Sequence, residues 1–483
     1  MDKKSDLKTY IITSAQASYH ENKDGDSVPY GGGKVGKARP NKKLLEGLEI
    51  LRDELDAELK IIPIAGKNTL ENILHQSLEN REDIFTGSVL RLNQNLQVRD
   101  IVVPPQNVDP TTGKRELVGK YGSSLIFAHS KQRFFPVPVF NSDLPRYLFT
   151  TGAVTHPNFN TANHRGDTAE RNHVYGALIV EVIDDEFFNI RNVRALKNGR
   201  FADMGEVYDG SKTPKKIGAD TLVLGDLHWG DHDENAITAN YEMIEHFKPK
   251  RIILHDTFNG HSINHHEKDN LLRKSREFQR GRLSLEGEFE DLYWELERLA
   301  KFAGKNTQIY VVSSNHDAFL PRYINSGSWM DRDIWNSDIG AALYSKGMEL
   351  GLDEKEIDDA SFLIKQGLKR HGKLPSNVNF LKLKDNLKRH GYQLATHGHK
   401  GGHGSRGGGA KSRGITGGGK SITGHSHTME IFGDTYIVGT SSQLDLPYTA
   451  GGGSAWIAAN AVLYNNGTVQ MLPSINGKWK AKR

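Results

Sequence analysis

Residues 221–228, TLVLGDLH, are an apolar run that ends in an Asp-x-His pair, Asp226 and His228. Four more runs end the same way. RIILH (251–255) precedes Asp256, and QIYVVSS (308–314) precedes Asn315-His316-Asp317. YQLAT (392–396) precedes His397, and SIT (421–423) precedes Gly424-His425-Ser426-His427. Short apolar runs bounded by polar residues read as buried strands. Side chains at the ends of parallel strands converge on one edge of a sheet, where open α/β folds place their ligands. Asp226, His228, Asp256, Asn315, His397, His425 and His427 are therefore candidate ligands for a pair of divalent cations.

Strand and helix alternate around these runs. The pattern predicts strands over 221–225, 251–255 and 308–313, a helix near 234–247 and a long helical stretch over 268–303. Phe289, Leu292, Tyr293, Leu296, Leu299 and Phe302 fall on one helical side within that stretch. Such alternation implies a parallel, largely buried sheet. The short closing segments 392–396, 421–424 and 434–439 suggest a second sheet, and so a sandwich flanked by helices. Upstream of a polar linker over 208–219, the chain reads as a mixed α/β domain opening with a βαβ unit. Its parts are a strand at 10–13, a helix over 41–59 and a strand at 60–64, with further strands at 100–103, 124–128 and 177–182. The expected domains are thus 1–210 and 211–483.

Composition narrows the function classes. The 483-residue chain is 36% hydrophobic and 25% charged, with a formal net charge of +4, too small by itself to imply a nucleic-acid partner. It has no cysteine, which excludes disulfides, thiolate metal sites and cysteine nucleophiles. No run approaches a membrane span, and residues 1–10 lack the apolar core of a signal peptide, so a cytoplasmic protein is expected. Of 21 histidines, 15 lie between His228 and His427.

From about 220 to 445 the motifs occur in the order Asp-x-His, Asp, Asn-His-Asp, His and Gly-His-x-His. That series resembles the calcineurin-like metallophosphoesterase superfamily. The resemblance implies that Asp226, His228 and His427 hold one metal, and that Asn315, His397 and His425 hold a second. Asp256 would bridge the two, and His316 would be the active-site acid. Asp317 is the expected partner to orient the His316 imidazole. Two positions depart from the family pattern: Asn259 stands where a second aspartate is usual, and Ser314 where glycine is usual. Ligation by N and O without thiolate suits Mn²⁺, with Fe, Zn or Ni²⁺ as alternatives.

The segment over 401–420 (GGHGSRGGGAKSRGITGGGK) holds 10 glycines and four Lys/Arg and joins His397 to His425. Glycine permits close backbone approach to a phosphate, so Arg406, Lys411 and Arg413 are expected substrate contacts, with Arg322 as a further candidate. His261, His265 and His266 read as a solvated loop over the site. Arg133, His156, Arg165, Arg171 and His173 read as a solvated face with core-capping polar groups, with contact to a polyanion as the alternative. The basic segment, the accessory N-terminal half and a basic tail (Lys478, Lys480, Lys482, Arg483) lean towards DNA as substrate. The whole layout also resembles phage-encoded DNA nucleases that degrade host DNA, which implies action in the bacterial cytoplasm. A nucleotide or cyclic-nucleotide phosphoesterase with an oligomerising N-terminal domain is the rival reading, and a non-catalytic binding protein is a third. A homo-oligomer is compatible with a chain of this size.

Overall fold

The computed structural model describes residues 8–16, 20–21, 27–28, 38–64, 74–140, 144–159, 161–162, 164–266, 270–349, 360–416, 419–446 and 451–480. The fold is mixed α/β. A six-stranded sheet runs in the order Val378–Phe380, Gln308–Val311, Arg251–Leu254, Ala219–Val223, Ala459–Tyr464, Val469–Pro473. The first four strands are mutually parallel, and the last two are antiparallel additions. Successive parallel strands step in one direction across the sheet. Crossovers of constant hand then place their helices on one face. Side chains alternate accordingly: Leu222, Leu224, Ile252 and Leu254 pack with helices Glu234–Phe247 and Leu285–Ala303, whereas Val223 and Ile253 point to the other face.

That other face meets two more sheets in one apolar core. A ten-stranded sheet supplies Ile422, Ile431, Tyr436, Phe134 and Phe149, and a four-stranded sheet supplies Tyr10, Ile12, Ile62, Leu178 and Val180. The ten-stranded sheet takes five strands from residues 388–437 and five from residues 89–151, joined where Ile431 pairs with Phe134. Strands from both sides of residue 210 therefore share hydrogen bonds as well as core. Asn192 adds a second seam, donating to Val469 O (2.9 Å) and accepting from Met471 N–H (2.8 Å).

Several expectations change in detail. The first helix is Lys42–Leu55, and Leu59 belongs to the following strand, Ala57–Ile64. Asp56 ends the helix in the left-handed conformation, after which the chain pairs in parallel with Thr9–Gln16. Residues 100–103 are irregular, just before Pro104 and Pro105, which carry no N–H for a ladder; the strand is Leu96–Arg99. The helical stretch expected over 268–303 is two helices, Leu271–Gln279 and Leu285–Ala303, broken near Gly281 (φ +70°) and restarted by Ser284 as N-cap. The polar linker pairs into a small three-stranded sheet with Phe201–Asp203. Residues 268–269 of the stretch, Gly417 and Gly418 of the glycine-rich segment, and Lys482 and Arg483 of the tail lie outside the described residues. Among the described residues no helix is long and apolar enough to cross a membrane.

Candidate metal centre

The strand-end loops are held together by their own backbones. Leu227 N–H donates to His255 O (3.0 Å) and His228 N–H to Asp256 O (2.7 Å). Gly424 N–H donates to His397 O (3.0 Å), and His425 N–H donates to Asp226 Oδ2 (2.7 Å). Gly424 has no freedom to be another residue: a Cβ there would collide with Asp226 Oδ1. Four candidate ligands adopt left-handed backbone conformations, with φ of +44° at His228, +46° at Asp256, +79° at His425 and +56° at His427. Non-glycine residues there cost of order 1–3 kcal/mol each, and such strain clusters at functional sites.

These loops bring the expected side chains together. Asp226, His228, Asp256 and His427 each direct one ligand atom into a group whose atoms all lie within 4.8 Å of one another. A second such group is Asp226, His255 and His397. His228 Nε2 lies 2.9 Å from His427 Nε2, and His427 Nε2 lies 3.2 Å from Asp226 Oδ2. His397 Nε2 stands 3.1 Å from Asp256 Oδ2 and 3.1 Å from Asn315 Oδ1. His425 belongs to neither group, although its ring is 5.2 Å from that of His397.

Buried Asp226 Oδ1 and Asp256 Oδ1 accept no hydrogen bond. Lone carboxylate oxygens in a desolvated site are costly unless a cation takes them up. Burial alone would raise both carboxyls, but surrounding imidazoles, His397 foremost, hold them below the ordinary carboxylate range. Burial also pushes His228 and His255 down to about 3 and His425 and His399 down to about 4. These imidazoles are neutral at pH 7 and keep the lone pair that a metal requires. Charge, geometry and orphaned atoms thus all fit divalent cations.

His316 lies at the edge of this cluster, its ring 4.6 Å from that of His228. Its Nδ1–H donates to Asn259 O (2.9 Å), which leaves Nε2 as the free nitrogen. Asp317 is not the orienting partner. Its carboxylate turns back to accept Ser314 N–H (2.8 Å), closing the turn at Ser314. Burial, then Asp256, push the Asp317 carboxyl up to about 7.

Asn259 itself is fixed from behind. Its Nδ2 donates to Asp231 Oδ2 (3.1 Å), and Asp231 also takes Arg282 Nη1 (2.8 Å) and His261 Nε2 (2.7 Å). His261 is therefore packed into the site wall and not part of a solvated loop. The contact raises the His261 pKa against the effect of burial. Neither Asp231 nor Arg282 carries a sequence signal, since each acts through a contact between distant segments. His255 and His399 also escaped the sequence reading. His255 was detectable as the residue that ends the 251–255 run.

The expected substrate contacts separate. Arg406 is exposed, and Arg322 is exposed and reaches the His265 ring. Lys411 pairs with Asp109 (3.6 Å). Arg413 is not free for substrate. It donates to Gly408 O (2.6 Å), Gly424 O (2.9 Å) and Ser426 Oγ (3.0 Å), and so clamps the loop that carries His425. The glycine-rich segment folds back as a helix, Ala410–Thr416, whose Ala410 N–H donates to Glu430 Oε2 (2.7 Å).

No protein-family model matches the chain. No solved structure matches it. Protein A1 of Escherichia phage T5 is 27% identical over 461 residues, spanning 92% of this chain and 81% of its own length. A phage protein is thus similar to this chain along most of its length.

Proposed function

We propose that this chain is a phage-type, two-metal phosphodiesterase of the calcineurin-like class that hydrolyses DNA in the host cytoplasm. The observation that carries this reading is the pair of buried, unpartnered carboxylate oxygens of Asp226 and Asp256, beside the His228 and His255 imidazoles that burial holds neutral. The six-stranded sheet and the 388–437 half of the ten-stranded sheet, sharing a core with helices on the outer face, support a metallophosphoesterase sandwich in 211–483, which 1–210 extends with strands of its own. Bound cations, Mn²⁺ by the donor set, would neutralise phosphate oxygens and acidify water.

The chain's own residues supply the rest. Asp256 presents Oδ2 to His228 on one side (3.6 Å) and His397 on the other (3.1 Å), the placement of a bridging carboxylate. Asp226 and His427 would close the first position, and His397 with Asn315, 3.1 Å apart, would hold the second, where His425 would have to turn inward to join them. His316, with Nδ1–H committed to Asn259 O, is assigned to protonate the leaving oxygen from Nε2. Arg322 and Arg406 are the exposed cations proposed to meet flanking phosphates.

The test pairs full-length protein plus Mn²⁺ with linear duplex, closed circular plasmid, bis-p-nitrophenyl phosphate and a nucleotide panel. The reading predicts metal-dependent loss of DNA that His316→Ala abolishes. Rapid nucleotide turnover with intact DNA would transfer the same centre to small phosphoesters. Absence of any metal-dependent hydrolysis would reject the enzyme.

A further inference from the structure

A second polar cluster lies away from the metal loops, in a cavity of about 110 Å³. Its wall includes Lys131, Arg133, Arg171, His173, Arg194 and Asp434, four cations to one carboxylate. For three of these (Arg133, Arg171 and His173) the sequence favours a solvated face over contact with a polyanion. The fold gathers them instead. At roughly 30 Å³ per water, the space suits one tetrahedral oxyanion with a water, and falls well below the ~300 Å³ at which small-molecule pockets begin.

Lys131 is the informative residue. Only 6% of it is exposed, and its Nζ donates to Asn107 O at 2.6 Å. Among the described residues no carboxylate lies within ion-pair distance of it. Buried lysines are normally paired, because an ammonium out of water is costly. Burial pushes this one down to about 8, with Asp109 only partly offsetting the effect. Arg133 is 1% exposed and keeps a buried Nε–H with no acceptor, although Glu430 takes its Nη2 (2.8 Å) and Asp109 lies 3.6 Å from Nε. Arg194 is paired with Asp434 (2.6 Å), and Arg171 with Asp167 (3.2 Å) at the exposed mouth. His173 donates Nε2–H to Thr155 O (2.9 Å), so its orphaned Nδ1 is an acceptor suited to a hydrogen phosphate or a bound water.

We infer that this cavity binds a single phosphate group, held by the Lys131 ammonium, with Arg171 at its entrance. The cavity stands independently of the metal centre, so the inference survives if the proposed hydrolysis fails. The phosphate can be free or belong to a nucleic-acid strand, and the experiment separates the two. Full-length protein in chelator, which keeps metal from capturing the anion, is titrated with inorganic phosphate and separately with a short unlabelled oligonucleotide. Saturable phosphate binding, weakened at least tenfold in Arg171→Glu and abolished in Lys131→Met, assigns a free-phosphate site. Oligonucleotide binding with the same sensitivity, but no phosphate binding, assigns a strand phosphate. If neither ligand binds, or Arg171→Glu binds both as wild type does, the inference is wrong. Arg171 is exposed, so its variant decides the matter even if Lys131→Met does not fold.

Discussion

The candidate metal centre and the Lys131 cavity are both buried polar clusters, built with opposite sign. In the first, two carboxylate oxygens lack donors, and burial holds the His228 and His255 imidazoles beside them neutral. In the second, an ammonium and a guanidinium N–H lack sufficient acceptors. Unsatisfied buried polar atoms are rare and call for a partner. The charge on the orphaned atoms says which kind. The clusters also differ in how they are assembled: the first on loops that each follow a strand, the second from a strand start, a helix end and a turn far apart in the chain.

The largest effect is expected at Asp256, the carboxylate proposed to bridge. Asp256→Ala should abolish metal uptake, read by elemental analysis, and lower hydrolysis by on the order of 10³-fold or more. Retained metal would break the assignment of this cluster as a cation site. His316→Ala should keep full metal content yet slow turnover about 10²–10⁴-fold. Equal metal loss in both variants would contradict the separate roles given to them.

Gly424→Ala probes the packing that brings the loops together. Its methyl would force Asp226 aside, destabilising the fold by roughly 1–3 kcal/mol and weakening metal binding. Unchanged melting and metal affinity would show that the loops have more room than the structure allows. Asp231→Asn removes the charge behind Asn259 and His316. A fall of about 10–100-fold in kcat, with little change in KM, is expected for such an orienting group. A change confined to thermal stability would reduce Asp231 to a packing role.

The smallest effect belongs to a buried histidine that hydrogen-bonds the backbone of Lys131. His129 accepts Lys131 N–H at Nδ1 (3.0 Å) and donates Nε2–H to Pro104 O (3.3 Å), and burial pushes it down to about 3. Between about pH 3 and the unfolded value near 6.5, the unfolded chain binds a proton that the folded chain refuses. Stability therefore rises with pH through that window, and the penalty at pH 5 is on the order of 1–2 kcal/mol. His129→Gln should flatten the acid limb of a denaturation series. An unchanged limb would mean that His129 is not held neutral.

The legible part of this protein was the part encoded locally. An apolar run followed by Asp226 or Asn315 places a ligand at a strand end, because alternation and burial are properties of neighbouring residues. The same holds for helix Glu234–Phe247, which begins at its own cap, Asp233. Helix Lys42–Leu55 was overextended because Leu59 continues the leucine spacing. That spacing cannot show that the parallel partner at Thr9–Gln16 claims the residue for a strand. Arg413 failed for a related reason. A cation in a glycine-rich segment looks available until the segment folds back and its guanidinium finds carbonyls to serve.

By itself the sequence determined the order of the metal-type motifs, the parallel strands that carry them and the absence of thiolate chemistry. Only the tertiary structure decided that Asn259 O, not Asp317, orients His316, that Asp231 and Arg282 stand behind it, and that Lys131, Arg133, Arg171 and Arg194 share one cavity. The physical reason is range. Strand periodicity and motif spacing act over a few residues, whereas a hydrogen-bond partner or a shared charge is chosen by three-dimensional proximity, after burial has removed the alternative of water.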